Sequence, residues 1–286
     1  MNPSGTAAGL GLMSAATWGG SDFIGGLGSR RAPALLVVAS GHAFSLLVLV
    51  ALCLGLQIPS ASHASLWLGA VAGFEGSLAL AAFYRALAMG AMGLTAALTG
   101  VLTALVPVLF SALHYGLPAP VTAAGLAIGL AAIWLITYAP APSGNGNRGT
   151  ATPPIALLLG ALAGTGFGAQ LILFKLAGSG GILWTMTSAR AGGSLAMLLV
   201  LLLRPPQAPW RGFWLTGIAA GSLDTVGNLF YLIATRFGRL DVSALICSLY
   251  PAGTILLAAL VLHERPTRRQ LAGMALALAA VALLSV

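Results

Sequence analysis

Ten apolar runs, separated by short polar breaks, limit what this chain can fold into more than any other feature of its sequence. They cover approximately residues 7 to 28, 33 to 56, 66 to 89, 93 to 113, 119 to 138, 155 to 177, 182 to 203, 213 to 236, 241 to 262 and 269 to 286. Each approaches the roughly 20 residues a helix needs to cross about 30 Å of hydrocarbon. Lipid offers no partners to backbone N–H and C=O groups, so spans of this length read as helices. The composition agrees: 58% of residues are hydrophobic, 6% are charged and the mean hydropathy is +0.98, where soluble domains carry about 25% charged residues. The expected fold is an all-α polytopic membrane protein of ten transmembrane helices.

The breaks are too short to hold a soluble domain, so function is expected among the helices. The net charge of +8 rests on 13 basic and 5 acidic residues, and most of the basic ones fall at run ends, where they read as anchors at lipid headgroups. Nucleic acid is not an expected partner. Cys53 and Cys247 lie inside apolar runs and read as packed thiols. Met1 to Gly5 has no basic region ahead of the first run, so that run is expected to remain as a helix. The sequence has no His-Glu-x-x-His, Asp-rich metal motif, Walker sequence or nucleophile elbow. Neither an enzyme nor a metal or other cofactor is expected.

Residues 139 to 154, rich in Pro, Gly and polar side chains, read as a solvated linker between five runs in 1 to 138 and five in 155 to 286. A shift of 148 residues aligns Gly69 and Gly73 with Gly217 and Gly221, Gly125 with Gly273, Pro118 with Pro266, Gly90 with Gly238, and His42 with Arg190. An odd number of helices in each half gives the second half the opposite orientation. Two inverted five-helix repeats are therefore expected, with a binding site near the midplane between them.

Within the run from 213 to 236, Gly217, Gly221, Asp224, Asn228 and Tyr231 share one helical face. A charge at the helix centre costs about 2.5 to 3.5 kcal/mol on insertion scales, so it persists when paired or facing a cavity. Asp224 and Asn228 then serve either as an interhelical bond or as cavity lining. Glu75 lies off the glycine face of its helix and reads as a partner for Arg85, His42 or Arg190, or as a proton-coupling group. His42 is either a satisfied hydrogen-bonder or a proton carrier; Arg190 holds either a substrate carboxylate or a buried acid. Asp22, one turn beyond Trp18, either faces the cavity with it or, being close to the helix end, is hydrated. Gln170, matching Asp22 at the same shift, offers an amide, and Lys175 is expected to snorkel. Trp18, Tyr84, Tyr231 and Tyr250 are candidate aromatic walls, and Phe167 supplies a further ring. Pro107 and Pro251 remove helical hydrogen bonds and mark either hinges or static bends.

Trp18-Gly19 in the first run, Phe167-Gly168 as its counterpart one residue out of register, Phe83-Tyr84-Arg85-Ala86-Leu87 closing the third run, and His263-Glu264-Arg265 followed by Gly273 together resemble the drug/metabolite transporter superfamily. Within it the chain is most similar to the EamA-type exporters, which include amino-acid exporters of the YddG kind. The Glu264-Arg265 pair after the ninth run has Gly116-Leu117 in the equivalent place after the fourth, and the second-helix position where the resemblance implies a basic group holds His42.

The resemblance implies a multi-pass protein of the bacterial inner membrane. It would export small metabolites, amino acids by this likeness, by alternating access about a central cavity. A facilitator or channel, or a non-transporting assembly subunit, are the alternative readings. The implied partners are a small-molecule substrate and the bilayer; the oligomeric state stays open, a monomer included. Basic residues number three on the side of the termini and nine on the other, which places both termini outside the cytoplasm, whereas the resemblance implies termini inside.

Overall fold

The computed structural model describes residues 3–29, 32–87, 92–137, 153–206, 212–261, 263 and 266–285, with the backbone alone for 84, 87, 92–97 and 179. These residues form helices α1 Pro3–Ser29, α2 Ala34–Gly55, α3 His63–Leu87, α4 Met92–Tyr115, α5 Pro120–Thr137, α6 Pro154–Ala177, α7 Ile182–Leu203, α8 Phe213–Phe237, α9 Leu240–Cys247, α10 Tyr250–Val261 and α11 Arg268–Leu284. A 3-10 turn over Gly178–Gly180 follows α6. No strand occurs among the described residues. Eight segments are long and apolar enough to cross a membrane, with α9 and α10 counting as one. The glycine-rich α1 and the 17-residue α11 fall outside those eight. The chain is a multi-pass helical membrane protein, and outward leucines such as Leu47, Leu113 and Leu203 suit a lipid-facing surface.

Proline sets several helix starts. Pro33 precedes α2, Pro153 precedes α6, and Pro120 and Pro154 are the first residues of α5 and α6, where a missing N–H leaves no bond unmade. The start of α11 is closed by a capping box: Thr267 N donates to Gln270 Oε1 at 2.8 Å and Gln270 N donates to Thr267 Oγ1 at 3.3 Å.

The run expected over 241 to 262 is two helices rather than one. Pro251 has no N–H to give the Cys247 carbonyl, and the chain turns through Ser248 and Leu249, with Leu249 N donating to Ile246 O at 3.2 Å and Ala252 N to Leu249 O at 2.9 Å. The detached α9 is buried along its whole length. Pro107, by contrast, lies within an unbroken α4.

Small residues set how closely the helices cross, because a bundle in lipid associates by packing rather than by exclusion of water. Gly217 lies against Val37 and Ser40, and Gly221 against Gly41, where α8 crosses α2. Gly69 lies against Thr185 and Ser188, and Gly73 against Ala189, where α3 crosses α7. The second set is the first displaced by 148 residues, with the partners exchanged. Gly125 on Leu283 and Leu284 corresponds in the same way to Gly273 on Leu135 and Ile136. For α1 and α6 the displacement is one residue longer: Gly19 meets Tyr250 and Thr254 where Gly168 meets Leu102 and Val106. Helix pairs follow suit. α1 packs on α8 as α6 does on α3, α2 on α8 as α7 on α3, and α1 on α10 as α6 on α4. α2 with α7, α5 with α11 and α4 with α9 are their own counterparts.

Candidate functional site

The crossing of α2 and α7 brings together His42 and Arg190, 148 residues apart in sequence. Arg190 Nη1 lies 3.4 Å from His42 Nε2. For the guanidinium to donate there, the imidazole must be neutral with its proton on Nδ1, and Nδ1 is buried without a hydrogen-bond partner. On its other branch, Arg190 Nη2 donates to Asp224 Oδ2 at 2.5 Å. Asn228, one turn further along α8, donates from Nδ2 to the same Oδ2 at 3.2 Å and to the Asp224 carbonyl at 2.8 Å. The ion pair is uneven: the Arg190 side chain is 4% exposed and that of Asp224 35%. Arg190 is thus held inside the helix seam while Asp224 presents itself to open space.

That space is a cavity of about 140 Å³ walled by α1, α2, α3, α4, α6, α7, α8 and α10. Of the side chains singled out in the sequence, Trp18, His42, Gln170, Arg190, Asp224, Asn228 and Tyr250 line it, as does Asp22. Trp18 meets Tyr250 edge-on with centroids 6.3 Å apart, and Phe83 meets Phe167 edge-on at 6.1 Å. These two aromatic pairs face a floor of acid, amide and guanidinium.

Two of the expected residues lie elsewhere. Glu75 is on α3 beside Gly166 and Ala79, one residue short of the lining position Gly76, and its Oε2 is buried with no hydrogen bond. None of the pairings weighed for it, with Arg85, His42 or Arg190, is among the ion pairs of the described residues, and Asp224 takes the Arg190 guanidinium. Tyr231 is fully buried, donating its hydroxyl to the Leu171 carbonyl at 2.8 Å and lying near Trp18 with ring centroids 6.2 Å apart. The side chain of Tyr84 lies outside the described residues. Lys175, expected to snorkel, donates instead to the Thr235 carbonyl.

Lining residues without a signal in the sequence include Ser21, Ser77, Leu80, Phe83 and Thr103. Ser21 Oγ donates to the Ala220 carbonyl at 2.8 Å, and Gln170 Nε2 donates to the Ala72 carbonyl at 3.1 Å. With the longer displacement of α1 against α6, Gln170 is the counterpart of Ser21 rather than of Asp22. A local search for register within each helix finds that shift; a single shift over the whole chain does not.

The lining is also skewed along the bundle axis. Gly25, Val37, Val38, Leu80 and Phe83 carry the cavity from the middle toward the face opposite the chain termini. Toward the terminal face the ends of α6 and α8 are tied together. Tyr231 bonds Leu171, Lys175 bonds Thr235, and Arg236 Nη2 donates to the Gly178 carbonyl at 2.7 Å. Shifted into the first half, Tyr231 and Leu171 correspond to Phe83 and Asp22, and those two line open space.

What the fold and site define is a helical membrane protein with a polar cavity at the centre of its bundle. Residues 154–286 match the model of the EamA-like transporter family. A solved chain described as "Crystal structure of protein" superposes with a TM-score of 0.76 at 20% identity, over 97% of this chain and 95% of that one. At that identity the likeness is one of fold. The comparison with curated proteins gives no match.

Proposed function

We propose that this protein is a secondary transporter of the EamA type, exporting small organic metabolites by alternating access about the central cavity. The observation that carries the proposal is the cavity itself: a charged, aromatic-walled space among the helices whose lining extends toward one face, with α6 and α8 bonded to each other toward the other. The family match over 154–286 supports the class. The exchange of contacts at a displacement of 148 residues, one longer for α1 and α6, supports an inverted repeat of ten spans, with 1–138 and 155–286 as its halves. Two halves of opposite orientation let one packing serve for the state open to either side, since each half takes the role of the other.

In this reading Trp18, His42, Gln170, Arg190, Asp224, Asn228 and Tyr250 contact substrate, whereas Glu75 and Tyr231 act from behind the wall. The break before Pro251 lets α10 move against the buried α9, and Pro107 offers a second bend. Amino acids are the substrates the resemblance suggests, and a bacterial inner membrane the location. Chemistry on the substrate has no part in it: the candidate groups bind and release. The test is uptake and counterflow in proteoliposomes across a panel of amino acids, with and without a pH gradient. Saturable, exchange-accelerated flux is expected; linear flux without counterflow means a pore, and no flux with a copurifying partner means an assembly subunit.

A further inference from the structure

We infer that the cavity recognises the ammonium end of its substrate and disfavours a free carboxylate, so that its preferred cargo is an organic monocation with an apolar or aromatic body. The inference rests on the transporter reading above and names the substrate class of the same site.

A zwitterion needs a cation for its carboxylate as well as an acid for its ammonium. The one guanidinium lining the cavity among the described residues is already committed, with Nη2 on Asp224 and Nη1 on His42, and its side chain is 4% exposed. Its remaining nitrogen, Nε, is buried and has no hydrogen-bond partner among the described residues. His42 is 9% exposed, with Nε2 turned to the Arg190 guanidinium at 3.4 Å. The acids stand differently. Asp22 lines the cavity and makes no hydrogen bond or ion pair among the described residues. Asp224 gives Oδ2 to Arg190 and Asn228, while its Oδ1 takes no bond among the described residues and its side chain is 35% exposed.

Two carboxylates therefore meet a ligand, against one sequestered guanidinium. In a space of low dielectric a further anion brought beside them is repelled, and a cation is drawn in. The walls favour the same charge. Trp18 is one turn from Asp22 on α1, and its ring, with those of Tyr250, Phe83 and Phe167, supplies the electron-rich faces that attract cations within about 6 Å. An amino acid stripped of its carboxylate fits this lining better than the amino acid itself.

The test is calorimetric titration of the purified full-length protein in detergent with three probes that share a phenyl body: 2-phenylethylamine, phenylalanine and 3-phenylpropionate. The amine is expected to bind about tenfold or more tighter than phenylalanine, because both offer the ammonium and only phenylalanine brings a repelled carboxylate. The propionate is expected not to bind. Asp22→Asn is expected to lose most of the amine affinity and Asp22→Glu to keep it; Asp22→Glu guards against reading a folding defect as a binding one. Phenylalanine or phenylpropionate binding as tightly as the amine overturns the inference. So does an amine affinity unchanged in a well-folded Asp22→Asn protein. If amino acids nevertheless show counterflow in liposomes, the transporter reading survives that failure; if nothing binds and nothing moves, both fall.

Discussion

The regions on either side of the central cavity are built from corresponding pieces of chain and are bonded differently. At the terminal face, Tyr231 of α8 reaches across to the Leu171 carbonyl of α6, and the ends of those helices are held by two further cationic side chains on carbonyls. At the opposite face the corresponding positions hold Phe83 of α3 and Asp22 of α1, and both border the cavity. The phenol on one side and the phenyl ring on the other differ by one oxygen. A phenol without a partner inside lipid costs more than a phenyl ring, so Tyr231 must be tied to something, whereas Phe83 carries no hydroxyl to satisfy. The hydrogen bond that joins α8 to α6 near the terminal face is thus made by a side chain whose counterpart 148 residues earlier lacks the hydroxyl, although the helix crossings around both recur at that displacement.

The central ion pair offers the strongest way to break this arrangement. Arg190→Ala leaves Asp224 without its buried partner; because that carboxylate is 35% exposed and can be hydrated, the cost is expected to fall below the roughly 3 to 5 kcal/mol of a fully buried pair. A large fall in melting temperature and in monodisperse yield is expected. Replacing both residues, Arg190→Met with Asp224→Leu, should restore much of the stability and none of the transport. A double variant as unstable as Arg190→Ala alone would show that the pair is not the source of the loss.

Next in size is the crossing at Gly221. A side chain there meets the Gly41 backbone, which cannot move aside as a flexible side chain would. Gly221→Val is expected to destabilise by about 1 to 3 kcal/mol, and Gly73→Val, set against Ala189 at the corresponding crossing, by a similar amount. Gly26→Ala, where nothing lies within 4 Å, should be neutral. Unequal losses at Gly221 and Gly73 in thermal unfolding would tell against equivalent crossings.

The smallest effect probes the ends directly. Tyr231→Phe removes one interhelical hydrogen bond, on average about 0.6 kcal/mol in a membrane bundle and so about threefold in a conformational equilibrium. With Cys53 and Cys247 replaced by alanine, a cysteine at Thr235 should react with a polar thiol reagent about threefold faster once Tyr231 is phenylalanine. Phe83→Tyr, the reverse change at the open end, should slow labelling of a cysteine at Leu80. No change in either rate would separate these residues from any gating role.

Much of the helical frame is legible in the sequence because apolar length alone decides it in a bilayer. The run over 182 to 203 is α7 residue for residue, and that over 213 to 236 differs from α8 by one. The split of the ninth run is half legible: Pro251 announces a missing donor, but the sequence does not say that the detached α9 will be buried whole. The candidate site is legible where a polar residue stands alone in an apolar helix, as with His42, Arg190, Asp224 and Asn228. It is not where direction around the helix decides. Glu75 differs from the lining position Gly76 by about 100° of turn, enough to set it beside Gly166 instead of in the cavity. Ser77 and Thr103 give no warning because hydroxyls are common in membrane helices and carry no signal of their own.

By itself the sequence determined the class of structure, the stretches that become helix, and the spacing of 148 that relates the close crossings. Those follow from local rules: hydrocarbon admits no unpaired backbone, and two helices approach closely only where side chains are small. Tertiary structure alone decided which charge meets which. Arg190 had three acids at plausible depth, and which of them it reaches depends on how α7 is rotated against α8 and α3. It reached Asp224, leaving Asp22 unpaired in the cavity among the described residues and Glu75 behind its wall. Pairing is a property of three-dimensional proximity: the acid at 2.5 Å combines the strongest Coulomb attraction with a charge-assisted hydrogen bond, and an acid out of hydrogen-bond reach does not.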